Sequence, residues 1–194
     1  MEQSEFNTYK EGLDLRFLRD YCLEHGTFRK MMRGETLEEA GEPARWVAYI
    51  KKGCFKYMTH NQTEGRDYCT GFAFEGEFVA DYPNCLKGGV SEVTIEADMV
   101  SEVLVIEGKE LQRMYNEDPE KLQVGVRILE NLFMMVFNRM VDRYRYTPRE
   151  RYEQLMARCP QIIEQLSLQD IASFLGITAT YLSRIRKEIA GETE

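Results

Sequence analysis

The stretch LSLQDIASFLGITATYLSRIRKEI, residues 166–189, decides the fold. Ser167, with Asp170 three positions later, is typical of the capping pair that begins a helix. Gly176 supplies a sharp turn after that helix, and Thr178 is the N-cap of a second one. Two short helices joined by such a turn predict a helix-turn-helix.

The two predicted helices have faces of different chemistry. Apolar residues at helical spacing form the inward faces, namely Ile171, Ala172, Leu175, Leu182, Ile185 and Ile189. The outward positions of the second helix are Ala179, Thr180, Ser183, Arg184 and Lys187. A helix with hydroxyl and basic groups on its outer face fits the major groove of DNA, where these groups reach base edges and phosphates. The alternative, from the pattern alone, is an ordinary helical hairpin with a solvated basic face.

The net charge of −8 over 194 residues is unevenly distributed. Residues 1–139 hold 17 Lys and Arg against 25 Asp and Glu, whereas residues 140–194 hold eight of each kind. All the excess negative charge therefore precedes the C-terminal part, which can approach DNA despite the acidic total.

The sequence predicts a cytoplasmic protein without a membrane segment. No stretch approaches the ~18 uncharged apolar residues of a transmembrane helix, and the opening MEQSEFNTYKEG lacks the pattern of a signal peptide. The five cysteines are irregularly spaced, which indicates buried, reduced thiols. Redox sensing by one exposed thiol is the alternative. We expect no metal and no cofactor.

From Phe28 to Ile106, short β-rich runs alternate with glycine-containing turns. The runs are WVAYI, CFKYMTH, DYCTGFAF, EFVADY, EVTIEA and EVLVIE. No helical period intervenes, so an antiparallel sandwich or barrel is predicted rather than a parallel sheet. Residues 61–65, Asn-Gln-Thr-Glu-Gly, indicate a hairpin turn.

A long helix is predicted to begin after Asp118, because proline is favoured in the first turn and acidic residues suit the helix dipole. Apolar residues then recur every three or four positions, at Leu122, Val126, Leu129, Phe133, Val136 and Met140. Such a heptad seam pairs two helices, so we predict a homodimer interface along it. A second apolar face consists of Ile128, Leu132, Met135 and Phe137. It can cover the β-rich part, and the alternative is a single amphipathic helix packed on its own domain.

The long helix is predicted to end at Thr147-Pro148, because the residue before a proline is held away from helical angles. The segment RERYEQLMARC then predicts another short helix, closed by Pro160. We place the domain boundary here.

In this order of elements, the sequence resembles the Crp/Fnr family of bacterial transcription regulators over nearly its full length. The motifs that carry the resemblance are IKKGCFKYMTHNQTEGRDY, GEFVADYPNCLKGGVSEVTIEA, NEDPEKL, TPRERYEQLMARCP and LSLQDIASFLGITATYLSRIRKEI. The resemblance implies an α+β protein with an antiparallel β-roll of the cyclic nucleotide-binding type, similar to a double-stranded β-helix. The implied domains are a sensor β-roll over residues 1–117, a dimerisation helix over residues 118–146, and a helix-turn-helix domain over residues 147–194 whose wing is short or absent.

The resemblance also implies double-stranded DNA as a partner, bound by a homodimer at a two-fold symmetric site. Gln169 and Thr178 match phosphate-contacting positions of the family. Ala179, Thr180 and Arg184 match base-reading positions, and of these only Arg184 can make a bidentate contact to guanine. The whole predicted DNA-binding set is Ser167, Gln169, Thr178, Ala179, Thr180, Ser183, Arg184 and Lys187.

The effector cassette of the family's cyclic-AMP-binding members is changed in this sequence. Those members use a Gly-Glu pair for the ribose, an Arg-Ser pair for the phosphate and two hydroxyl residues of the long helix for the base. The corresponding positions here are Ala80, Asp81, Val90, Ser91, Val136 and Phe137. Without the arginine, the phosphate would be buried beside Asp81 with no compensating cation. We therefore expect an unknown small-molecule effector, or a pocket filled by its own side chains, and not cyclic AMP.

Taken as a whole, the sequence predicts a homodimeric, sequence-specific DNA-binding transcription regulator, with RNA polymerase as a further candidate partner. The alternative is a dimeric sensor or adaptor with a degenerate pocket and no DNA-binding role. An enzyme is not expected, because the sequence has no HxH metal pair, no GxSxG elbow and no phosphate-binding P-loop.

Overall fold

A β-roll makes up the N-terminal half of the computed structural model, which describes residues 6–192. Its strands are, in chain order, β1 (Thr27–Met31), β2 (Thr36–Glu38), β3 (Trp46–Lys52), β4 (Cys54–Asn61), β5 (Arg66–Phe74), β6 (Phe78–Val79), β7 (Thr94–Ala97) and β8 (Ser101–Glu107). They form two four-stranded sheets with the orders β1-β8-β3-β6 and β2-β7-β4-β5. The strand pairs within both sheets are antiparallel, which confirms the predicted architecture.

The roll is stable because alternate residues of its strands point between the two sheets. The apolar core there consists of Met31, Leu37, Ala48, Ile50, Phe55, Ala73, Val79, Ile95, Ala97, Val103 and Val105. The predicted hairpin turn joins β4 to β5. Asn61 Oδ1 accepts hydrogen bonds from the backbone N–H groups of Thr63 and Glu64, each at 3.0 Å. Gly65 closes the turn with a φ of 61°.

Helices flank the roll and make up the C-terminal half of the described chain. They are a short 3₁₀ helix (Thr8–Lys10), α1 (Arg16–His25), α2 (Asn84–Lys87), α3 (Gly108–Glu117), α4 (Pro119–Arg145), α5 (Pro148–Arg158), α6 (Ile162–Gln165), α7 (Leu168–Leu175) and α8 (Ala179–Glu192). The sequence reading did not identify α1 or α3 as helices. Within residues 6–192, no helix combines the length and apolar character that crossing a membrane requires.

The long helix α4 begins and ends where the sequence predicts. Asp118 caps its N-terminus, because its side chain accepts hydrogen bonds from the N–H groups of Glu120 and Lys121. The helix stops at Arg145, two residues before Thr147-Pro148. Thr147 then caps α5 in a reciprocal pair with Glu150.

The helix-turn-helix packs directly on the β-roll through α7 and β5. The N–H of Cys69 in β5 donates a 2.7 Å hydrogen bond to Ser173 Oγ in α7. Beside it, Lys56 Nζ in β4 lies 3.5 Å from Asp170 Oδ2. These contacts fix the position of α7 and α8 relative to the roll.

The N-terminal segment fills the space between the roll and α7. The Phe6 ring lies 5.7 Å from the ring of Phe72 and 5.6 Å from that of Phe74, both in β5. It also lies 5.1 Å from the ring of Phe174 in α7. Asn7 Nδ2 donates a 2.7 Å hydrogen bond to the carbonyl of Phe72. One apolar core therefore joins three parts of the chain that are distant in sequence.

Candidate nucleic-acid interface and effector cassette

The predicted helix-turn-helix is present, with its caps formed by the expected residues. Ser167 Oγ accepts a 3.0 Å hydrogen bond from the N–H of Asp170 and donates one of 2.7 Å to the Asp170 carboxylate. Gly176 has a φ of 70°, in the left-handed region that glycine adopts without strain. Thr178 Oγ1 accepts a 3.2 Å hydrogen bond from the N–H of Tyr181 and so caps α8.

Burial separates the two faces of α8. Leu182 and Ile185 are buried with the inward residues of α7, which are Ile171, Ala172 and Leu175. Ile189, also expected to face inward, is half-buried. The opposite face, with Thr180, Arg184 and Lys187, is exposed. Hydroxyl and basic groups are therefore presented together on the outer side of the second helix.

The predicted DNA-binding residues cluster at the start of α7 and along α8. Five of them are exposed, namely Gln169, Thr178, Thr180, Arg184 and Lys187. Ser167, Ala179 and Ser183 are half-buried. Ala179 and Ser183, which the sequence pattern places on the outer face with the others, thus pack partly against the domain.

The Arg184 side chain makes two weak contacts with other residues of α8. Its guanidinium lies over the ring of Tyr181 at 4.7 Å, and its Nε is 3.7 Å from a carboxylate oxygen of Glu188. The Arg184 side chain is 66% exposed. Exposed ion pairs of this kind contribute little free energy, so the guanidinium can turn to another acceptor at small cost.

The two polar residues retained in the effector cassette satisfy each other. Ser91 is buried, and its Oγ donates a 2.8 Å hydrogen bond to Asp81 Oδ2. Asn84 Nδ2 donates to both carboxylate oxygens of Asp81 at 3.2 and 3.3 Å. Both groups that could meet a ribose or a phosphate already have partners within the protein.

The electrostatic surroundings of the cassette are acidic. Glu38 is buried, and its carboxylate accepts a 2.7 Å hydrogen bond from the N–H of Arg45. Desolvation raises the pKa of Glu38, and the negative charge of Asp81 contributes in the same direction. A phosphate placed here would therefore meet two neighbouring carboxyl groups.

The space between the cassette and α4 is small and apolar. A cavity of about 80 Å³ lies beside Ala80, and Tyr57, Tyr115 and the α4 residues Ile128 and Leu132 are among its walls. Pockets for small-molecule ligands usually measure ~300–1,000 Å³. This cavity is thus too small for a nucleotide, and Asp81, Val90 and Ser91 are not among its walls.

The structure does not bring all six cassette positions together. Val90 is 57% exposed, and Val136 and Phe137 lie on the exposed side of α4. Val136 is eight residues beyond Ile128, which corresponds to ~12 Å along a helix. The residues of α4 that line the cavity beside Ala80 are Ile128 and Leu132. Val136 and Phe137 lie further along the helix in the single chain, so their place in an effector site stays a prediction.

The predicted dimer seam is an exposed apolar stripe in the single chain. Its six residues, Leu122, Val126, Leu129, Phe133, Val136 and Met140, are between 40% and 65% exposed. Ile128, on the face assigned to the roll, is only 7% exposed. Phe137 was expected on that face, but it is exposed and its ring stacks on that of Phe133 at 5.8 Å.

The five cysteines are buried as reduced thiols. Desolvation raises the pKa of Cys22, Cys69 and Cys85 to about 12. A thiol with a raised pKa is a poor nucleophile at neutral pH, which favours the interpretation as structural residues.

Comparisons with known proteins agree with this architecture. Residues 28–118 match the cyclic nucleotide-binding domain family. FixK2 from Bradyrhizobium japonicum is 18% identical, with a TM-score of 0.75 over 87% of this chain and 86% of that one. The c-di-GMP responsive global regulator CLP from Xanthomonas campestris is 17% identical, with a TM-score of 0.69 over 93% of each chain. No curated protein sequence matches the chain.

A third solved structure is assigned to the Crp/Fnr family of transcriptional regulators. This protein, from Eubacterium rectale, is 14% identical, with a TM-score of 0.66 over 97% of this chain and 89% of that one. It and CLP are both described as regulators. Residues 28–118 thus match the model of the cyclic nucleotide-binding domain, and the chain has the same fold as these solved structures, one of which is described as a Crp/Fnr regulator, in agreement with the sequence resemblance.

Proposed function

We propose that this protein is a sequence-specific DNA-binding transcription regulator that acts as a homodimer. The observation that carries the proposal is the outer face of α8, where Thr180, Arg184 and Lys187 are exposed on a helix whose opposite face is buried against α7. A helix presented in this way fits the major groove, whose base edges carry the sequence information.

The residues divide into two roles by position. Gln169 lies in the first turn of α7 and Thr178 precedes α8, and helix N-termini suit the negative charge of phosphates. Thr180 and Arg184 lie further along the outer face of α8 and reach towards base edges. Phosphate contacts set the orientation on DNA, whereas base contacts specify the sequence.

The seam of α4 supports the homodimer. Six half-exposed apolar side chains in a heptad pattern are typical of a surface that is covered by a second, identical helix. A two-fold symmetric dimer would present its two α8 helices to half-sites about one DNA turn, ~34 Å, apart. The operator is accordingly a symmetric sequence. RNA polymerase, where it takes part, would be contacted by another surface.

The β-roll is the signal-sensing domain in this proposal, and cyclic AMP is not its signal. The Asp81–Ser91 hydrogen bond, the neighbouring Glu38 and the small apolar cavity all disfavour a phosphate. No arginine lies between Arg66 and Arg113 to compensate the phosphate charge.

Selection of bound sequences from a random pool of duplex DNA tests the proposal. We expect enrichment of a symmetric site, followed by a steep loss of affinity with rising salt. Arg184→Ala should cost ~1–3 kcal/mol at that site and relax the preference at one base pair in each half-site. Gln169→Ala should weaken binding to all sequences alike.

Arg186→Ala is the matched control, because Arg186 is also exposed on α8 but lies outside the predicted reading face. It should leave the base preference unchanged. Failure to enrich any sequence would favour the alternative, a dimeric sensor or adaptor without a DNA-binding role. An Arg184→Ala protein with unchanged specificity would refute the role assigned to that residue.

A further inference from the structure

A second and larger cleft lies where the β-roll meets the helices. Its walls come from β4 and β5, the C-terminal part of α4, α5 and the end of α7. Its volume is about 540 Å³, within the ~300–1,000 Å³ of typical small-molecule sites. We call it the hinge cleft. Neither the cassette residues on the roll nor the predicted DNA-binding residues line it, apart from Val136 at its edge.

The charged side chains of the hinge cleft are predominantly arginines. Arg139 and Arg143 come from α4, and Arg151 and Arg158 from α5. Asp142 is the one carboxylate among the described lining residues. The protein is acidic as a whole, so a cleft with this excess of positive charge stands out from its surroundings.

Two of these arginines are fixed by neutral acceptors. Arg139 donates hydrogen bonds of 3.2 Å to the carbonyl of Phe6 and to Asn7 Oδ1. Arg151 donates to the carbonyls of Tyr146 and Leu175 at 2.9 and 3.0 Å. These hydrogen bonds hold the guanidinium groups in place, but carbonyl oxygens do not cancel their charge.

Burial makes these positive charges costly, and the carboxylates Glu77 and Asp142 offset only part of the cost for Arg139 and Arg151. The pKa of Arg139 is lowered to about 10, mainly by desolvation and also by the positive charge of the nearby Arg158. Desolvation and the charge of Arg143 likewise lower the pKa of Arg151. An anion in the cleft would relieve this mutual repulsion.

Arg143 has the freedom to bind such an anion. It is an exposed lining residue that lies against Gly176, and within residues 6–192 its guanidinium makes no hydrogen bond or ion pair, although its backbone carbonyl accepts one from Arg151. A free guanidinium beside two preoriented ones can form bidentate hydrogen bonds to a carboxylate or a phosphate.

The remaining walls of the hinge cleft are apolar. They include Phe6, Met140, Leu155 and Phe174. An inorganic ion would leave this surface in contact with water, whereas a ligand with an apolar body would cover it.

From these observations we propose that the hinge cleft binds a small amphipathic organic anion, whose carboxylate or phosphate head is held by Arg143 and its neighbouring arginines and whose apolar body packs on Phe6 and Phe174. Its lining residues belong to the roll on one side and to the helix-turn-helix domain on the other. A bound ligand would therefore change how firmly the two are joined. The effect on DNA affinity rests on the proposed function, whereas ligand binding itself does not.

Fluorescence titration of the full chain with 8-anilinonaphthalene-1-sulfonate, an amphipathic aromatic anion, tests the proposal in the absence of DNA. We expect saturable binding that Arg143→Ala weakens by about tenfold, the effect of losing one charge-assisted hydrogen bond. Arg145→Ala is the matched control, because Arg145 is exposed two residues further along α4 and does not line the cleft. It should bind the probe as the unmodified protein does.

Displacement of the probe identifies the head group. Phenyl phosphate and benzoate share an apolar ring and differ in the anionic head, so stronger displacement by one of them assigns a phosphate or a carboxylate. Equal probe affinity of the Arg143→Ala and Arg145→Ala proteins would overturn the proposal, because the probe would then bind elsewhere, for example on the α4 seam. Displacement by neither compound would overturn it as well. Either failure would leave the selection of DNA sequences unaffected, so the two proposals can fail separately.

Discussion

Replacing Phe133 by glutamate tests whether the seam of α4 is a dimer interface. Phe133 lies in the middle of the six seam residues and is 65% exposed in the single chain. In a two-fold symmetric pair of helices, the substituted side chain of one protomer would lie close to that of its partner.

The expected effect follows from the surface that Phe133 still exposes. Complete burial of a phenylalanine side chain contributes ~1.5–3 kcal/mol, so the exposed two-thirds contributes ~1–2 kcal/mol in each protomer and about twice that in the dimer. A carboxylate in its place adds the cost of desolvating a charge and the repulsion of its symmetry mate. Since 1.4 kcal/mol is a factor of ten, the dissociation constant should rise by ~1,000-fold or more.

Sedimentation velocity at micromolar concentration measures this directly. The unmodified chain should sediment as a dimer and the Phe133→Glu protein as a monomer, with unchanged circular dichroism. Met134→Glu is the matched control, because Met134 is 49% exposed on the same helix but lies outside the seam. A Phe133→Glu protein that sediments as a dimer would refute the reasoning, and so would equal dissociation of both variants.

Three further results are expected. Gly176→Ala should lower the free energy of unfolding, measured in urea, by ~1–2 kcal/mol, because the φ of 70° at Gly176 is left-handed. Gly191→Ala in α8 is the control and should be neutral or slightly stabilising. Equal effects of the two substitutions would contradict the claim that an alanine at position 176 is strained. The free energy of unfolding should fall as the pH rises above 9.0, the ordinary pKa of a thiol. Thiols of the unfolded chain ionise there, whereas the pKa of Cys22, Cys69 and Cys85 is about 12 in the folded protein. A urea midpoint that stays constant between pH 9 and pH 12 would count against the burial of these thiols. Calorimetric titration with cyclic AMP should show millimolar or weaker binding, and a dissociation constant below about 50 μM would show that the interpretation of the cassette is wrong.

The helix-turn-helix and α4 could be predicted because their signals are local. Ser167 and Asp118 cap helices within their own first turns, and Gly176 is required by its own backbone angle. The apolar spacing of α4 likewise depends only on helical geometry. Features of this kind are decided by residues a few positions apart, so a sequence displays them directly.

Features that depend on tertiary packing could not be predicted in this way. Phe6 and Asn7 contact residues 65 or more positions away, and no local pattern indicates that they pack beside the contact between the roll and α7. The positions of Val136 and Phe137 relative to the cassette depend on how far α4 extends past the roll. The sequence shows Arg139 and Arg143 four residues apart, and therefore on one face of α4. Only the fold brings them into the same cleft as the arginines of α5.

The contacts between the roll and α7 indicate where a signal can act. A movement of α7 and α8 together away from the roll would break the hydrogen bond between Cys69 and Ser173 and the ion pair between Lys56 and Asp170. Cys69 and Ser173 themselves line the hinge cleft, so a ligand there touches one of these contacts directly. The cavity beside Ala80 is enclosed by the roll and by α1, α3 and α4, and its walls share no residue with these contacts. A ligand shifts an equilibrium only by its differential affinity for the two states. If the hinge cleft binds the anion proposed above, that ligand would act directly on the contact between the roll and α7, whereas a ligand beside Ala80 would have to act through the elements around it.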